Sequence, residues 1–270
     1  MPGILPHLLC AALYGLLAYA IYREVVANPE DTRTLGPLHW GIAAPMLVHT
    51  WLLYRSVIVG GGIYLGVGNS VSAIIWLTVI IYWLGSFHYR LRSLQVFVLG
   101  TAALAVLMPL AFASTHPLPH TDFPAFRLHL LISMLAFSLL TIASLQAFMM
   151  ALLERRLHSG TLPPYLRALP PLLSMERLLF QIILAGFLLL TLTLGTGMVF
   201  SEELFGRPLR FTHKVVFGLL AWLIFAALLG GRRLYGWRGR VALRWTLAGF
   251  MALVLAYIGS KFVLEVLLPG

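Results

Sequence analysis

Several stretches of this chain run for close to twenty residues with almost no charge, LLFQIILAGFLLLTLTLGTGMVF from Leu178 to Phe200 among them. A hydrocarbon core about 30 Å thick is crossed by roughly 20 helical residues, and lipid leaves the helix as the self-sufficient way to hydrogen-bond a single spanning segment. Composition excludes the soluble alternative: 60% of the residues are hydrophobic and 10% charged, where a water-facing domain carries about a quarter. The expected fold class is therefore all-α, a polytopic membrane helix bundle.

The formal net charge of +10 does not indicate nucleic acid. Its basic residues sit at the ends of apolar runs, where the bias toward cytoplasmic loops puts them, and no soluble basic face remains to track a phosphate backbone. The single cysteine, Cys10, excludes an intramolecular disulfide, a CxxC pair and a thiolate zinc cluster. The first apolar run lacks a basic n-region and a small-residue cleavage site, so it reads as a retained helix.

The order of elements follows from the runs and their punctuation. Helices are expected over about Ile4–Tyr22, Leu38–Tyr54, Asn69–Phe87, Leu94–Ser114, Arg127–Leu153, Leu178–Phe200, His213–Gly231 and Val241–Leu267. Between the second and third, SVIVGGGIYLGVG is too short and glycine-rich to span and reads as re-entrant or interfacial. Eight spans make one membrane domain over 1–270, without an internal repeat. Thirteen of the 19 lysines and arginines fall in the connections after the first, third, fifth and seventh helices. That side should be cytoplasmic, which puts both termini outside in a multi-pass protein of the bacterial inner (plasma) membrane.

On that topology nine histidines sort by depth. His39, His88 and His158 lie at the cytoplasmic side, where an interfacial polar residue accounts for each. His7 is on the outer side, and His116 and His120 fall in a solvated outer loop. His49, His129 and His213 lie within about two turns of the outer ends of apolar helices. Ionisable groups there are costly without a partner, and imidazole is a common axial ligand of haem iron. Arg127, Arg207, Arg210 and Lys214 gather at the same end against the usual sign bias, where the propionates of a haem (heme) would take guanidinium partners. Glu202 and Glu203 offer these cations an alternative. Nothing in the chain matches a nucleophile–base triad, a P-loop or a dinucleotide fingerprint, so no enzyme is expected.

PPLLSMERLLFQIILAGFLLLTLTLGTG, HKVVFGLLAWLIFAALLGGRR and GWRGRVALRWTLAGFMALVLAYIGSKFV follow one another in this order. With HTWLLYR around His49 and the run after His129, they resemble the YpjD/HemX-like branch of the CcsA-type cytochrome c assembly proteins, over nearly the whole chain. The resemblance implies an eight-helix inner-membrane protein tied to haem handling and cytochrome c maturation. His129 matches the outer histidine that precedes the family's tryptophan-rich loop. The corresponding loop here, SEELFGRPLRFTHK, has no tryptophan, and no second outer histidine follows the last helix.

The expected function is to bind haem near the outer face and hold it for a partner, with His129 and His213 as iron ligands and His49 third. Arg210, Lys214, Arg207 and Arg127 would serve the propionates. Expected partners are the lipid bilayer and other cytochrome c maturation proteins. A HemX-like regulator would instead engage a haem-synthesis enzyme, through the connection Glu154–Arg177. A transporter permease subunit is the remaining alternative, disfavoured because Pro45 and Gly60–Gly62 interrupt the first half with no counterpart in the second.

Overall fold

The computed structural model describes residues 3–28, 36–60, 62–89, 92–113, 116–119, 121–158, 163–167, 169–205 and 213–259. It is an all-α polytopic bundle. The elements run α1 (Ile4–Ala27), α2 (Pro37–Gly41), α3 (Ala43–Val57), β1 (Ile58–Val59), β2 (Gly62–Ile63), α4 (Val67–Gly85), α5 (Arg92–Ala105) and α6 (Met108–Ala111). They continue with α7 (Pro124–His158), α8 (Pro164–Arg167), α9 (Leu172–Phe205), α10 (His213–Tyr235) and α11 (Arg240–Val254), which passes into a π-turn over Leu255–Gly259.

Among the described residues, seven helical segments are long and apolar enough to cross a membrane. The eighth expected span is present but broken. Pro45 has no N–H to offer the Gly41 carbonyl, and the helix resets at Ile42 into α2 and α3, which together cover about one membrane thickness. Pro109 does the same to the span that begins with α5: the chain turns at Val106–Leu107 and resumes as α6. The glycine-rich stretch forms a two-residue antiparallel ladder, Ile58 opposite Ile63, turning at Gly60 with φ +57°. Leu118 N–H donates to the Ile63 carbonyl at 2.7 Å, tying this hairpin to the connection ahead of α7.

Helices α7 and α9 overrun the apolar runs that announce them by several residues at each end. The connection between them is correspondingly short of free chain. It carries α8, whose Leu166 is buried, and Tyr165 lies 6.2 Å from the ring of Tyr22 on α1.

Large apolar side chains cover the outside of the bundle as well as its core, and some polar groups are enclosed. Leu5 is 79% exposed and Leu173 74%, while Ser138, Gln146 and Thr246 are fully enclosed. Lipid is the solvent that makes this arrangement favourable. The interior divides into two apolar clusters. One joins α1, α4 and α5 through Tyr14, Val79, Val98 and Leu99; the other joins α9, α10 and α11 through Leu179, Ile183, Phe225 and Leu253. Helix α7 serves both, with Ile142, Met149 and Leu153 in the first and Leu140, Ala143 and Ala147 in the second. Its approach to α9 is close enough that a Cβ on Gly186 would lie 2.8 Å from Leu140 Cδ2. Ser138 Oγ shares its one proton between the Met134 carbonyl at 2.8 Å and the Ile74 carbonyl at 2.9 Å, and so joins α7 to α4.

Candidate functional site

Three threonines in this bundle do the same thing. Thr50, Thr191 and Thr196 each donate their hydroxyl to the carbonyl four residues earlier, at 2.8, 2.8 and 2.7 Å. With its proton committed, each oxygen is left to accept from a ring N–H on a neighbouring helix. Trp76 Nε1 reaches Thr50 Oγ1 at 2.9 Å, Trp222 Nε1 reaches Thr191 Oγ1 at 2.9 Å, and His129 Nδ1 lies 2.8 Å from Thr196 Oγ1. The threonine therefore decides the histidine's tautomer: the proton is on Nδ1 and the lone pair on Nε2. A carbonyl or hydroxyl holding Nδ1–H is the arrangement that orients an imidazole for metal ligation through Nε2. The ring is half-buried, stacks on Phe126 at 6.2 Å, and its Cε1 runs alongside Gly197.

At the same end of the bundle, the first turn of α10 presents His213 and Lys214, both exposed. The Lys214 ammonium sits 5.2 Å from the ring centroid of Tyr257 in the π-turn, and it is the charged group whose field reaches His129. The Ser70 hydroxyl donates to the Leu65 carbonyl at 3.1 Å, which leaves its oxygen to accept from Tyr257 OH at 3.4 Å. A π-turn at the end of a helix re-aims its side chains, and here it carries the tyrosine that joins α10 to α4. Arg127 is exposed, and its guanidinium donates to the Thr121 carbonyl. Arg207, Arg210 and His120 lie outside the described residues.

The structure thus brings His129, Lys214, His213 and Arg127 to one end of α7 and α10. His49 is placed elsewhere. It is fully buried in the first cluster, with Nε2 2.8 Å from Ser72 Oγ and Nδ1 3.4 Å from Tyr14 OH, so both ring nitrogens are engaged. Cys10 joins the same seam by donating to the Pro45 carbonyl. Above it His7 is 1% exposed; Nδ1 meets the Gly3 carbonyl, which puts the proton on Nδ1, and Nε2 is buried without a partner among the described residues.

His39, expected as an interfacial residue, is 2% exposed. It lies among Trp40, Trp83 and Phe87, with Phe87 4.9 Å away edge-on, and Gln95 and Ser86 meet its Nδ1 at 3.1 and 3.4 Å. The one signal in sequence is Trp83 and Phe87 at i, i+4 on a helix end, which gives two aromatic faces on one side. Nothing in sequence says which histidine they enclose.

The profile of the family described as "Cytochrome C assembly protein" matches residues 40–268. The chain is 34% identical over 209 residues to the inner membrane protein YpjD of Escherichia coli K12, covering 75% of each. It is 30% identical over 269 residues to a 28.8 kDa protein of Azospirillum brasilense, covering 95% of this chain and 96% of that one. To the cytochrome c biogenesis protein CcsA of Prochlorococcus marinus NATL1A it is 36% identical over 86 residues, 32% of this chain and 27% of the other. With the apolar helices, these relatives make it a multi-pass protein of the bacterial inner membrane. The chain belongs to the cytochrome c assembly protein family.

Proposed function

We propose that this protein binds haem at the outer end of the bundle and holds it for a partner in cytochrome c assembly, without performing chemistry on it. The supporting observation is the His129–Thr196 hydrogen bond, which gives His129 the tautomer that iron requires at a position where a histidine is otherwise an expensive residue to keep. Haem, when bound, would supply an iron that takes nitrogen ligands and two propionates that take cations. His129 would be the anchoring ligand and His213 the second. Lys214 and Arg127 would face the propionates, along with Arg207 and Arg210. His49 is retained as the third histidine only in rank, because its two nitrogens already have partners.

The visible spectrum of the detergent-purified protein, with and without added haem, tests this reading. A Soret band displaced from that of free haem is the expected result. His129→Ala and His213→Ala should each abolish or alter the low-spin form, while His116→Ala leaves it intact. A wild-type spectrum in both of the first two variants would put the site elsewhere.

A further inference from the structure

At the opposite, arginine-rich end of the bundle, α10 finishes with a guanidinium, Arg232, that has more cations than carboxylates beside it among the described residues. Arg232 lies with Cζ 3.6 Å from the centroid of Phe180 on α9, a cation–π contact. Its Nη1 is buried and has no hydrogen-bond partner among the described residues. Among the described residues, the charges that bear on it are those of Glu176, Arg238 and Arg177, so one carboxylate stands among three guanidiniums. That carboxylate has another duty: Glu176 Oε2 accepts from Gly239 N–H at 3.3 Å at the start of α11. Glu154 is also engaged, paired with Arg240 at 2.8 Å.

The backbone around this cluster is firmly built. Gly236, at φ +68°, ends α10 with its N–H on the Arg232 carbonyl at 3.1 Å, a left-handed helix cap. Trp237 N–H then closes on the Gly231 carbonyl at 3.2 Å, and its indole covers Gly231 so closely that a Cβ there would be 2.4 Å from Cε3. Immediately beside the arginines, Leu234 and Tyr235 are each 76% exposed. Excess positive charge and bare apolar surface thus meet at one helix end.

We propose that Arg232, Arg177 and Arg238 form a binding site for the phosphate of an anionic phospholipid, whose acyl chains lie against Leu234 and Tyr235. Phosphate oxygens supply the negative charge that, among the described residues, Glu176 alone brings to these three guanidiniums. A free phosphate would satisfy the charge, but it makes no use of the adjoining apolar surface. The site is independent of haem and lies at the other end of the molecule from His129.

Native mass spectrometry of the full chain in detergent, exposed to equal amounts of phosphatidylglycerol and phosphatidylethanolamine, reads the site directly. The wild type should retain phosphatidylglycerol preferentially. Arg232→Gln should lower that adduct about five-fold, one surface cation's worth of attraction, and Arg177→Gln with Arg238→Gln should lower it further. The double variant leaves the Phe180 contact in place and so guards against simple unfolding, with a thermal melt of each variant as the check. Arg233→Gln, on the exposed side of the same turn, should change little. Equal retention of both lipids by the wild type, or an unchanged adduct in the double variant, would overturn the proposal. Displacement of the lipid by millimolar inorganic phosphate would also overturn it, reducing the site to one for the free anion.

Discussion

Thr196 shows how much one hydroxyl can decide. Its proton goes to the Leu192 carbonyl, so its oxygen can only accept, and His129 must donate from Nδ1. Thr196→Val keeps the shape and removes the acceptor. A polar contact between membrane helices is worth about 0.6 kcal/mol on average, so the melting temperature in detergent should barely move. Haem retention should nonetheless fall about 10- to 100-fold, the usual cost of losing the group that orients a ligating imidazole. Thr191→Val, which strips the same acceptor from Trp222, should leave haem titrations unchanged; equal losses in both variants would mean the effect is one of packing. His129 itself could be singled out from sequence, because its depth on an apolar helix follows from hydropathy. Its tautomer could not, since the deciding hydroxyl lies 67 residues away on another helix. His39 escaped for the same reason: its enclosure depends on α4 and α5, and its sequence neighbours are those of any interfacial histidine.

At the scale of elements, the apolar runs located every span, and the prolines account for the two that break. Helix ends were less legible. Hydropathy stops at the first charged residue, whereas long basic side chains run their stems back along the apolar surface and let the helix continue, as α7 does through Glu154, Arg155 and Arg156 to His158. The tight packing of α7 on α9 had no sequence signature beyond one glycine among many. Gly186 is distinguished by Leu140 directly opposite it, whereas a Cβ on Gly195 of the same helix would meet nothing within 4 Å. Gly186→Val should therefore destabilise the bundle by about 1–3 kcal/mol through overpacking, and Gly195→Ala should be neutral or stabilising. Thermal unfolding of the two variants in the same detergent separates them, and equal melting temperatures would mean that α7 and α9 are not so closely apposed.

For the whole molecule, the strongest inference from sequence was that lipid surrounds it, and the exposed leucines and enclosed serines and glutamine agree. Orientation rests on charge alone. Thirteen of 19 basic residues at one end predict that this end is cytoplasmic. A reporter fused after Gly270 should accordingly be active only outside the cytoplasm; cytoplasmic activity would reverse the bundle and carry His129 to the inner face. The division of the interior into two clusters was not legible, because α7 reads as a single uninterrupted apolar run. What separates its two roles is the rotation that points Ile142 and Met149 one way and Leu140 and Ala143 the other.

That sharing has a bearing on how the protein is made. Synthesis delivers helices to the membrane in order, N-terminus first, so α1 to α6 arrive while the surface that completes their cluster is still inside the ribosome. They must wait with an open seam along α4, where the Ile74 carbonyl has only the Thr78 hydroxyl of its own helix until Ser138 adds a second from α7. Once α7 enters, it closes the early half and at the same moment offers its other face to α9 and α11, on which α10 then packs. Assembly then has a single committed step. A chain stalled before α7 exposes an unfinished edge to quality-control proteases, whereas one stalled after it already has half a finished protein to build on.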